Sequence, residues 1–551
     1  MAFHARLPSL ATLLLCALLA VCKLALVRND EIVAYDTPHD TLRFAEMARD
    51  IIDGRWLGDY DQRALIRAPV FPLWIAAVHQ TGLPLRTANE LLLIAAAAVF
   101  CASLRAIGLP RWLCLAAYAA VVFHPFSLYY NRELLPEAFY TPVLFLTLGG
   151  LVTALNRPLS PAPPLLPLAG SGLGLALLWH TRPEGPLLLL PLGCFVLLDL
   201  WRRSGQRDTA RARVQAACVL LAVPLLPVLL LNLALRGMNL VHYGLFAVTD
   251  LSAPAYVAAQ KALLGIRPDD RRPFVSITAE TRRRAYAVSP AFRELQPLLE
   301  GALGRQWSVY GCKELRVCDD IASGWFYWAM RDAVAVAGHY TSAGEAETFH
   351  ARVAGEIDAA RASGRLPARR VPFGLLDPDL GKHAPHLAPA LGRILDLFRR
   401  LPSADMNEPP TRYEIAELIT RVAHRRRELV PLVPGHPPAE STARPLPGSA
   451  ALASSHYREL VSILTALALL GLATLLILRR RIDRADPIHG VVVLFGMAVA
   501  SRVAFFTLML ATSQATDYER YLYPVLPLYL CTALIVVHQA LREVRSAFRG
   551  G

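Results

Sequence analysis

The 551-residue chain is 54% hydrophobic with a mean hydropathy of +0.37, which excludes an ordinary soluble enzyme of higher charge and lower apolar content. Its net charge of +13 does not indicate nucleic-acid binding, because only four basic residues are Lys and the Arg clusters fall in short loops between apolar segments. Apolar runs long enough to cross about 30 Å of hydrocarbon recur along the chain, so we predict a polytopic membrane protein.

The first apolar run, 7–27, has the features of either a signal peptide or a retained helix. Its basic leading part is thin (His4 and Arg6), the run is long, and no small-x-small cleavage site follows it, so we interpret it as a retained helix. In chain order the ten predicted spans are 7–27, 88–105, 111–128, 135–155, 163–180, 185–201, 214–235, 460–478, 490–512 and 521–541.

Basic loops predict the orientation of these spans. Placing 202–213, 479–484 and the tail after Leu541 in the cytoplasm agrees with the number of spans between them. We therefore predict a protein of the cell inner membrane with both termini in the cytoplasm. Segment 68–83 could be a further span, but it is short and holds two prolines, His79 and Gln80, which favours an interfacial helix.

Three parts of the chain follow from this topology. Residues 1–235 form a membrane core with spans one to seven and include the first outer loop, 28–87, while 460–551 complete the core. Residues 236–459 form a mainly α-helical extracytoplasmic insert that ends in a Pro-rich linker. Within the insert a helix is predicted over 343–363, and the sequence contains no recognisable Gly-rich phosphate loop or metal-type Cys/His cluster.

The cysteines give limited information on the compartment. Seven of the nine lie in apolar segments, where Cys behaves as a small hydrophobe. Cys312 and Cys318 lie in a polar region, and their spacing allows a local disulfide, which needs an oxidising compartment. Two free thiols are an equal alternative at this point.

Charged residues of the first outer loop have a structural and a functional interpretation. Thr37 can be an N-cap, Pro38 the first helical residue and Asp40 the carboxylate of a capping box. The apolar residues that follow at helical spacing predict a helix on the membrane surface: Phe44, Met47, Ala48 and Ile51. From this stretch alone capping is favoured over catalysis for Asp40. The acids interpreted as surface residues are Glu46, Asp50 and Asp53.

Four predicted outer loops each combine Arg with a carboxylate: the first outer loop and the loops that contain Arg132, Arg182 and Arg520. Each combination alone is typical of a solvated loop, but four on one face suit a substrate that carries a phosphate or diphosphate. The candidate substrate-binding residues in these loops are Asp36, His39, Arg63, Arg67, Arg132, Glu133, Arg182, Glu184, Glu519, Arg520 and Tyr521.

The chain resembles the polyprenyl-phosphate-sugar-dependent membrane glycosyltransferases of the GT-C class, which includes protein O-mannosyltransferases and the lipid A aminoarabinose transferase. The first outer loop of that class carries an Asp, an aromatic residue, a small residue and often a Gly at spacings matched here by Asp40, Phe44, Ala48 and Gly54. Similar motifs elsewhere are Arg67-Ala68-Pro69, Arg132 with Glu137, Arg182–Glu184 and Arg520–Pro524.

The resemblance covers roughly 1–235 and 456–551, and a large outer insert between spans seven and eight is similar to that of the mannosyltransferases. Two positions depart from the pattern: Thr41 stands where many members have a second acid, and Phe44 where Tyr is usual. No known module is recognised in 236–459.

The resemblance implies a GT-C-like helical fold and inverting transfer of a sugar from a polyprenyl-phosphate donor to an unknown acceptor on the outer face. Asp40 would be the general base, with Asp36 the second choice, and Glu137 would orient the acceptor or a cation. Arg67, with Arg132 or Arg520, would stabilise the leaving phosphate. No cofactor is implied, although a divalent cation is compatible with the site, and the expected partners are membrane lipids and the lipid-linked donor.

Two other functions are kept as alternatives. A transporter or flippase for a lipid or polar solute would be favoured by ionisable residues inside spans, for which Arg502, Lys23 and Asp199 are candidates. Inverted repeats of broken helices would also favour it, but none is recognised. A structural protein whose outer domain binds partners would leave the charged loops unexplained, so we rank the glycosyltransferase first.

Overall fold

A computed structural model of the chain describes residues 10–34, 37, 39–155, 164–204, 209–371, 377–402, 411–426, 449–478, 486–513 and 518–549. Among these residues the regular structure is helical, and β-pairing is limited to two isolated bridges, Val33 with Glu133 and Ile266 with Ala368. The predicted all-α architecture is confirmed. Asp36, the basic loop 479–484 and most of the Pro-rich linker lie outside the described residues.

The helices that precede the insert are α1 (Leu10–Val27), α2 (Thr41–Ile52), α3 (Val70–Gln80), α4 (Leu85–Ala106), α5 (Arg111–Val122), α6 (Pro125–Tyr130), α7 (Glu137–Leu155), α8 (Leu165–Trp179), α9 (Leu189–Arg203) and α10 (Ala210–Tyr243). Those of the insert are α11 (Pro254–Leu264), α12 (Ala279–Val288), α13 (Pro290–Arg293), α14 (Gln296–Leu299), α15 (Ala302–Leu315), α16 (Ser323–Val336), α17 (Ala343–Ala362), α18 (Ala384–Leu397) and α19 (Tyr413–Ala423). The chain ends with α20 (Ser449–Ile477), α21 (Pro487–Thr512), α22 (Tyr518–Leu522) and α23 (Leu526–Arg549).

Each predicted span has a helix at its position. In the part of the chain that the structure describes, eight helical stretches are long and apolar enough to cross a membrane. The remaining two predicted spans, 111–128 and 163–180, contain the shorter apolar helices α5 and α8. Segment 68–83, predicted to be interfacial, contains the 11-residue helix α3. The helix count therefore agrees with a polytopic membrane core of about ten spans.

Helix α10 extends the core past the predicted end of its span at residue 235. Thr209 caps its start, because the Thr209 side-chain oxygen accepts a hydrogen bond from the backbone N–H of Ala212 at 3.2 Å. Gly244 caps its end, with a φ of 72° in the left-handed region that glycine adopts without a Cβ clash. Its last turns hold the first outer loop, because Trp56 Nε1 donates to Asn239 Oδ1 at 2.8 Å.

The first outer loop folds as two helices, as predicted, with α2 packed on α3. The buried face of α2 includes Phe44, whose ring meets that of Phe71 in α3 edge to face at 5.2 Å. The prediction of Asp50 as a surface residue is wrong: its carboxylate is buried and accepts from Arg49 at 2.8 Å and Arg55 at 2.6 Å. Gly58 has a φ of 84°, and a Cβ there would lie 2.3 Å from this carboxylate, so the turn needs glycine.

The insert has its own hydrophobic core, built from residues between Ala259 and Leu366. The helix predicted over 343–363 is confirmed as α17, whose first turn is capped by the Ser342 side chain accepting from the Glu345 N–H at 3.2 Å. Cys312 and Cys318 form a disulfide. Helices α18 and α19 leave this core and contribute residues such as Ile394 to the main hydrophobic cluster of the membrane core.

Candidate active site

Asp40 occupies the N-cap position of α2, but its carboxylate does not cap the helix. The Thr37 hydroxyl accepts from the backbone N–H of Thr41 at 3.0 Å instead. The helix therefore begins at Thr41 rather than at Pro38, and the capping-box interpretation of Asp40 is wrong. Capping by Thr37 leaves the Asp40 carboxylate available for other partners.

Two arginines from distant parts of the chain clamp the Asp40 carboxylate. Arg67 Nη2 donates to Oδ1 at 2.5 Å and Arg520 Nη2 donates to Oδ2 at 3.1 Å. Burial by itself would raise the pKa of Asp40, but the charges of Arg67 and then Arg520 outweigh it and lower the pKa to about 2. Asp40 is thus ionised at neutral pH, and about a quarter of its side chain is exposed.

Asp40 lies in the wall of a cavity of about 370 Å³. Helices α2, α7, α10 and α22 contribute to this wall, together with the turn after α8 and the start of the insert. Its charged lining residues are Asp40, Glu137, Arg67, Arg182, Arg236 and Arg520. Guanidiniums outnumber carboxylates, so the cavity has the electrostatic character of an anion site.

Arg182 connects the cavity wall to a buried charge network. It donates to Glu137 at the start of α7 and to Glu184 in its own turn. Arg502, within α21, also donates to Glu184, at 3.1 Å. Since all four side chains are buried, this network fixes the turn after α8 against two membrane helices. The ring of Tyr521 lies between Arg182 and Arg520, with its centroid 4.6 and 4.7 Å from the two guanidinium carbons.

The structure brings six predicted site residues to the cavity: Asp40, Arg67, Glu137, Arg182, Arg520 and Tyr521. Glu184 does not line the cavity, but it forms an ion pair with the lining residue Arg182. The other predicted residues that the structure describes do not line this cavity, and these are His39, Arg63, Arg132, Glu133 and Glu519. Asp36 lies outside the described residues.

Several of the residues outside the cavity have structural contacts. Arg63 lies 3.6 Å from Asp61 and 3.9 Å from Glu46 in ion pairs of the first outer loop. The Arg132 carbonyl accepts from the Val33 N–H at 2.7 Å, which joins the segment between α6 and α7 to the chain leaving α1. The fixed bridge at Val33 and Glu133 therefore sets the starting point of the segment that carries Asp40.

His39 contacts the insert. Its ring stacks on Trp328 of α16 at 4.6 Å and lies 5.7 Å from Trp307 of α15. Burial and then the charges of Arg67 and Arg63 lower the pKa of His39 to about 4, so the ring is neutral at physiological pH. His39 directly precedes Asp40 in the chain, so its contacts with Trp328 and Trp307 connect the Asp40 segment to the insert.

Arg236 is a cavity residue that the sequence interpretation missed. It lies on α10 one turn after Asn232, another lining residue, and just past the predicted end of the span at 235. It forms no ion pair with any other residue that the structure describes, and its Nε has no hydrogen-bond partner among them. An Asn and an Arg four residues apart in an apolar helix lie on one helical face, and this pattern could have indicated a polar site on α10.

Within the described ranges, no group of three or more His, Cys, Asp or Glu side chains is arranged to hold a metal ion.

No protein-family model and no curated protein matches the chain. Among solved structures, the chain is similar to ArnT from Cupriavidus metallidurans bound to undecaprenyl phosphate, at 14% identity and a TM-score of 0.32 over 93% of this chain and 78% of that one. The apo structure of the same ArnT gives 15% identity and a TM-score of 0.33 over 92% and 78% of the two chains.

The protein O-mannosyltransferase Pmt1-Pmt2 complex of S. cerevisiae bound to the sugar donor gives 17% identity and a TM-score of 0.34. That match covers 41% of this chain and spans only 34% of the mannosyltransferase chain. These proteins are of the kinds named by the sequence resemblance. At such low identities and TM-scores the likenesses carry no inference about function, which is inferred below from the chain's own residues.

Proposed function

We propose that the protein is an integral membrane glycosyltransferase that moves a sugar from a polyprenyl-phosphate donor to an acceptor on the outer face of the membrane. Asp40 is the general base in this proposal. The observation that carries it is the ionised carboxylate of Asp40, held between Arg67 and Arg520 in a cavity that also contains Arg236, which forms no ion pair with the described residues. A cleft with one poised base and surplus guanidiniums suits a substrate that brings its own negative charge.

The ion pairs of the cavity divide its arginines by role. The charge of Arg182 is neutralised by Glu137 and Glu184, so Arg182 holds the cavity wall together and does not bind the donor phosphate. Arg67 and Arg520 share one carboxylate, and Arg236, whose guanidinium lies over the Phe246 ring at 5.5 Å, forms no ion pair with the described residues. These last three are therefore the cations available to a donor phosphate, and guanidinium geometry suits the bidentate binding of phosphate oxygens.

Donor binding would activate the base. A phosphate that accepts from Arg67 and Arg520 draws these cations away from Asp40, and the pKa of Asp40 rises from its depressed value toward the ordinary range. A carboxylate of higher pKa is a better proton acceptor, so the base gains strength when the donor is in place. Arg67 and Arg520 thus link binding of the donor to the strength of Asp40 as a base.

The transfer itself balances without a further reactant. The acceptor oxygen or nitrogen attacks the anomeric carbon from the face opposite the phosphate, and its proton passes to Asp40. The bond between the anomeric carbon and the phosphate oxygen breaks, and the polyprenyl phosphate leaves with the electron pair, stabilised by Arg67, Arg520 and Arg236. Glu137 Oε2, which lacks a hydrogen-bond partner among the described residues, is available to orient the acceptor. The configuration at the anomeric carbon inverts.

The alternative of a transporter gains no support from the ionisable residues inside spans. Lys23 lies 3.5 Å from Glu90, Asp199 is paired with Arg203 at 2.6 Å, and Arg502 is paired with Glu184. Each is engaged in a buried ion pair, whereas a transport pathway needs groups that meet the solute.

The test is transfer of labelled sugar from polyprenyl-phosphate donors in membranes that contain the wild-type chain or Asp40→Asn. We expect Asp40→Asn to lose about 10²-fold or more of the transfer rate, the effect of a general base. Asp59→Asn, an exposed acid of the same outer loop, is the matched control and should keep full activity. Full activity in Asp40→Asn would reject Asp40 as the base, and movement of a solute by a wild type that consumes no lipid-linked sugar would reject the glycosyltransferase.

A further inference from the structure

A second cavity, of about 210 Å³, lies where α1 ends and α4 begins, and it shares no lining residue with the first. The chain leaving α1, the first turn of α4 and the segment after α19 form its wall. Its lining residues are Leu24, Val27, Arg28, Asp30, Glu31, Pro84, Arg86, Thr87 and Arg426.

The charged residues of this second cavity are only partly neutralised. Arg86, which is 2% exposed, forms ion pairs with Glu90 and with Asp30, the latter at 3.4 Å. Arg28, Arg426 and Glu31 form no ion pair with any other residue that the structure describes. The cavity therefore presents two guanidiniums and one carboxylate that have no ion-pair partner among the described residues.

The first turn of α4 adds donors to the same wall. The helix is 22 residues long and follows Pro84, which offers no side-chain cap. The Ala88 N–H donates to the Pro84 carbonyl at 3.0 Å, whereas the N–H groups of Leu85, Arg86 and Thr87 have no acceptor within the helix, and the dipole gives this end a partial positive charge.

The position of this cavity points to a lipid. Helix α1 exposes a continuous apolar surface, with Leu18, Val21 and Leu26 each more than half exposed, as expected of a helix in contact with acyl chains. Leu24 and Val27, on the packed side of the last turns of α1, line the cavity. Because α1 is a candidate membrane span, the cavity at its end lies at the depth of lipid headgroups.

We propose that this cavity binds the headgroup of a zwitterionic phospholipid with a primary amine, of the phosphatidylethanolamine type. The phosphate is bound by Arg28, Arg426 and the amides of α4, and the ammonium donates to Glu31. A headgroup that is only anionic leaves Glu31 without a cation, and a quaternary amine has no N–H to donate. This binding site goes beyond the proposed glycosyl transfer and does not depend on it.

The bound lipid would join two parts of the protein. Arg28 and Arg86 belong to the membrane core, whereas Arg426 follows α19, which packs against α2 and α3. A headgroup held between them links the end of the insert to the helices that carry the first outer loop.

The test uses the purified full-length chain in detergent, stripped of lipid, with native mass spectrometry of added phosphatidylethanolamine, phosphatidylcholine and phosphatidylglycerol. The wild type should bind phosphatidylethanolamine about tenfold more tightly than the other two, the effect of one charged hydrogen bond. Glu31→Gln should remove this preference, and Arg28→Gln with Arg426→Gln should weaken binding of phosphatidylethanolamine and phosphatidylglycerol alike. The matched controls, Glu314→Gln and Arg305→Gln, are exposed residues of the insert and should change neither.

Equal binding of the three lipids by the wild type would reduce the cavity to unspecific lipid contact and overturn the proposal. So would tighter binding of phosphatidylglycerol that Glu31→Gln leaves unchanged, which is the behaviour of a plain anion site. Thermal unfolding of each variant without lipid separates loss of binding from loss of the fold. If the double arginine variant unfolds, Glu31→Gln decides the outcome alone.

Discussion

The Arg67 guanidinium donates to Asp40 Oδ1 at 2.5 Å, and its Nε donates to the carbonyl of His39 at 3.0 Å. One side chain thus fixes both the carboxylate of Asp40 and the backbone that leads to it. A donor phosphate that binds Arg67 would therefore alter the protonation of Asp40 and the start of α2 together.

Substitution of Arg67 should change the pH dependence of transfer. Arg67 lowers the pKa of Asp40, so in Arg67→Gln this pKa rises toward its ordinary value. The base must be ionised, and hence the acid limb of the kcat/KM profile should move to higher pH, while kcat falls about 10²-fold from the loss of a cation at the leaving phosphate. Arg63→Gln, in the same loop but outside the cavity, serves as control. An acid limb at the wild-type position in Arg67→Gln would show that Asp40 does not control it.

Removal of Arg182 should destabilise the membrane core. Arg182→Leu leaves the buried carboxylates of Glu137 and Glu184 without their shared cation, at a cost of about 3–5 kcal/mol. Thermal unfolding in detergent measures the effect, with Arg283→Leu on the exposed side of the insert as the control. Equal stability of the two variants would mean that Arg502 alone is enough to neutralise the carboxylates of Glu137 and Glu184.

The Lys23–Glu90 pair should show strong energetic coupling. Both side chains are 0% exposed, and Lys23 also donates to Ser127 Oγ at 2.9 Å. A double-mutant cycle of Lys23→Met and Glu90→Gln should give a coupling free energy above about 1 kcal/mol, because either single change leaves a buried charge uncompensated. The exposed pair Arg399–Asp396, at 3.2 Å, should give less in a control cycle. Additive single changes at Lys23 and Glu90 would contradict this expectation.

His39 should make the contact between the first outer loop and the insert sensitive to acid. Because burial lowers the pKa of His39 to about 4, its neutral form contributes stability that is complete above its ordinary pKa of 6.5 and decreases as the pH falls toward 4. His39→Phe keeps an aromatic ring against Trp328 but cannot be protonated. Limited proteolysis of the insert across this pH range should show protection of His39→Phe at pH values where the wild type is cleaved.

His456→Phe, an exposed histidine of α20, is the control for this experiment and should follow the wild type. Identical acid sensitivity of the wild type and His39→Phe would assign the effect to another group.

Local pattern was sufficient to predict the helices, because an apolar run in a membrane must satisfy its backbone hydrogen bonds internally. It also located the surface helices of the first outer loop, since α2 and α3 keep apolar residues at helical spacing. Boundaries were less certain: the end of α10 lies at Tyr243 rather than 235, because packing against the first outer loop supports turns that hydropathy did not include. Arg236 lies in these additional turns, outside the predicted span.

The sequence by itself determined which segments are helical and which loops bring arginines and carboxylates, because both depend on neighbours a few residues apart. Only the tertiary structure decided how these charges pair. Glu137 is bound to Arg182 across 45 positions, and Asp40 to Arg520 across 480. Which arginine each carboxylate pairs with depends on distances between helices. Coulomb energy falls with distance in space and is independent of separation in sequence, so residue spacing could not reveal it.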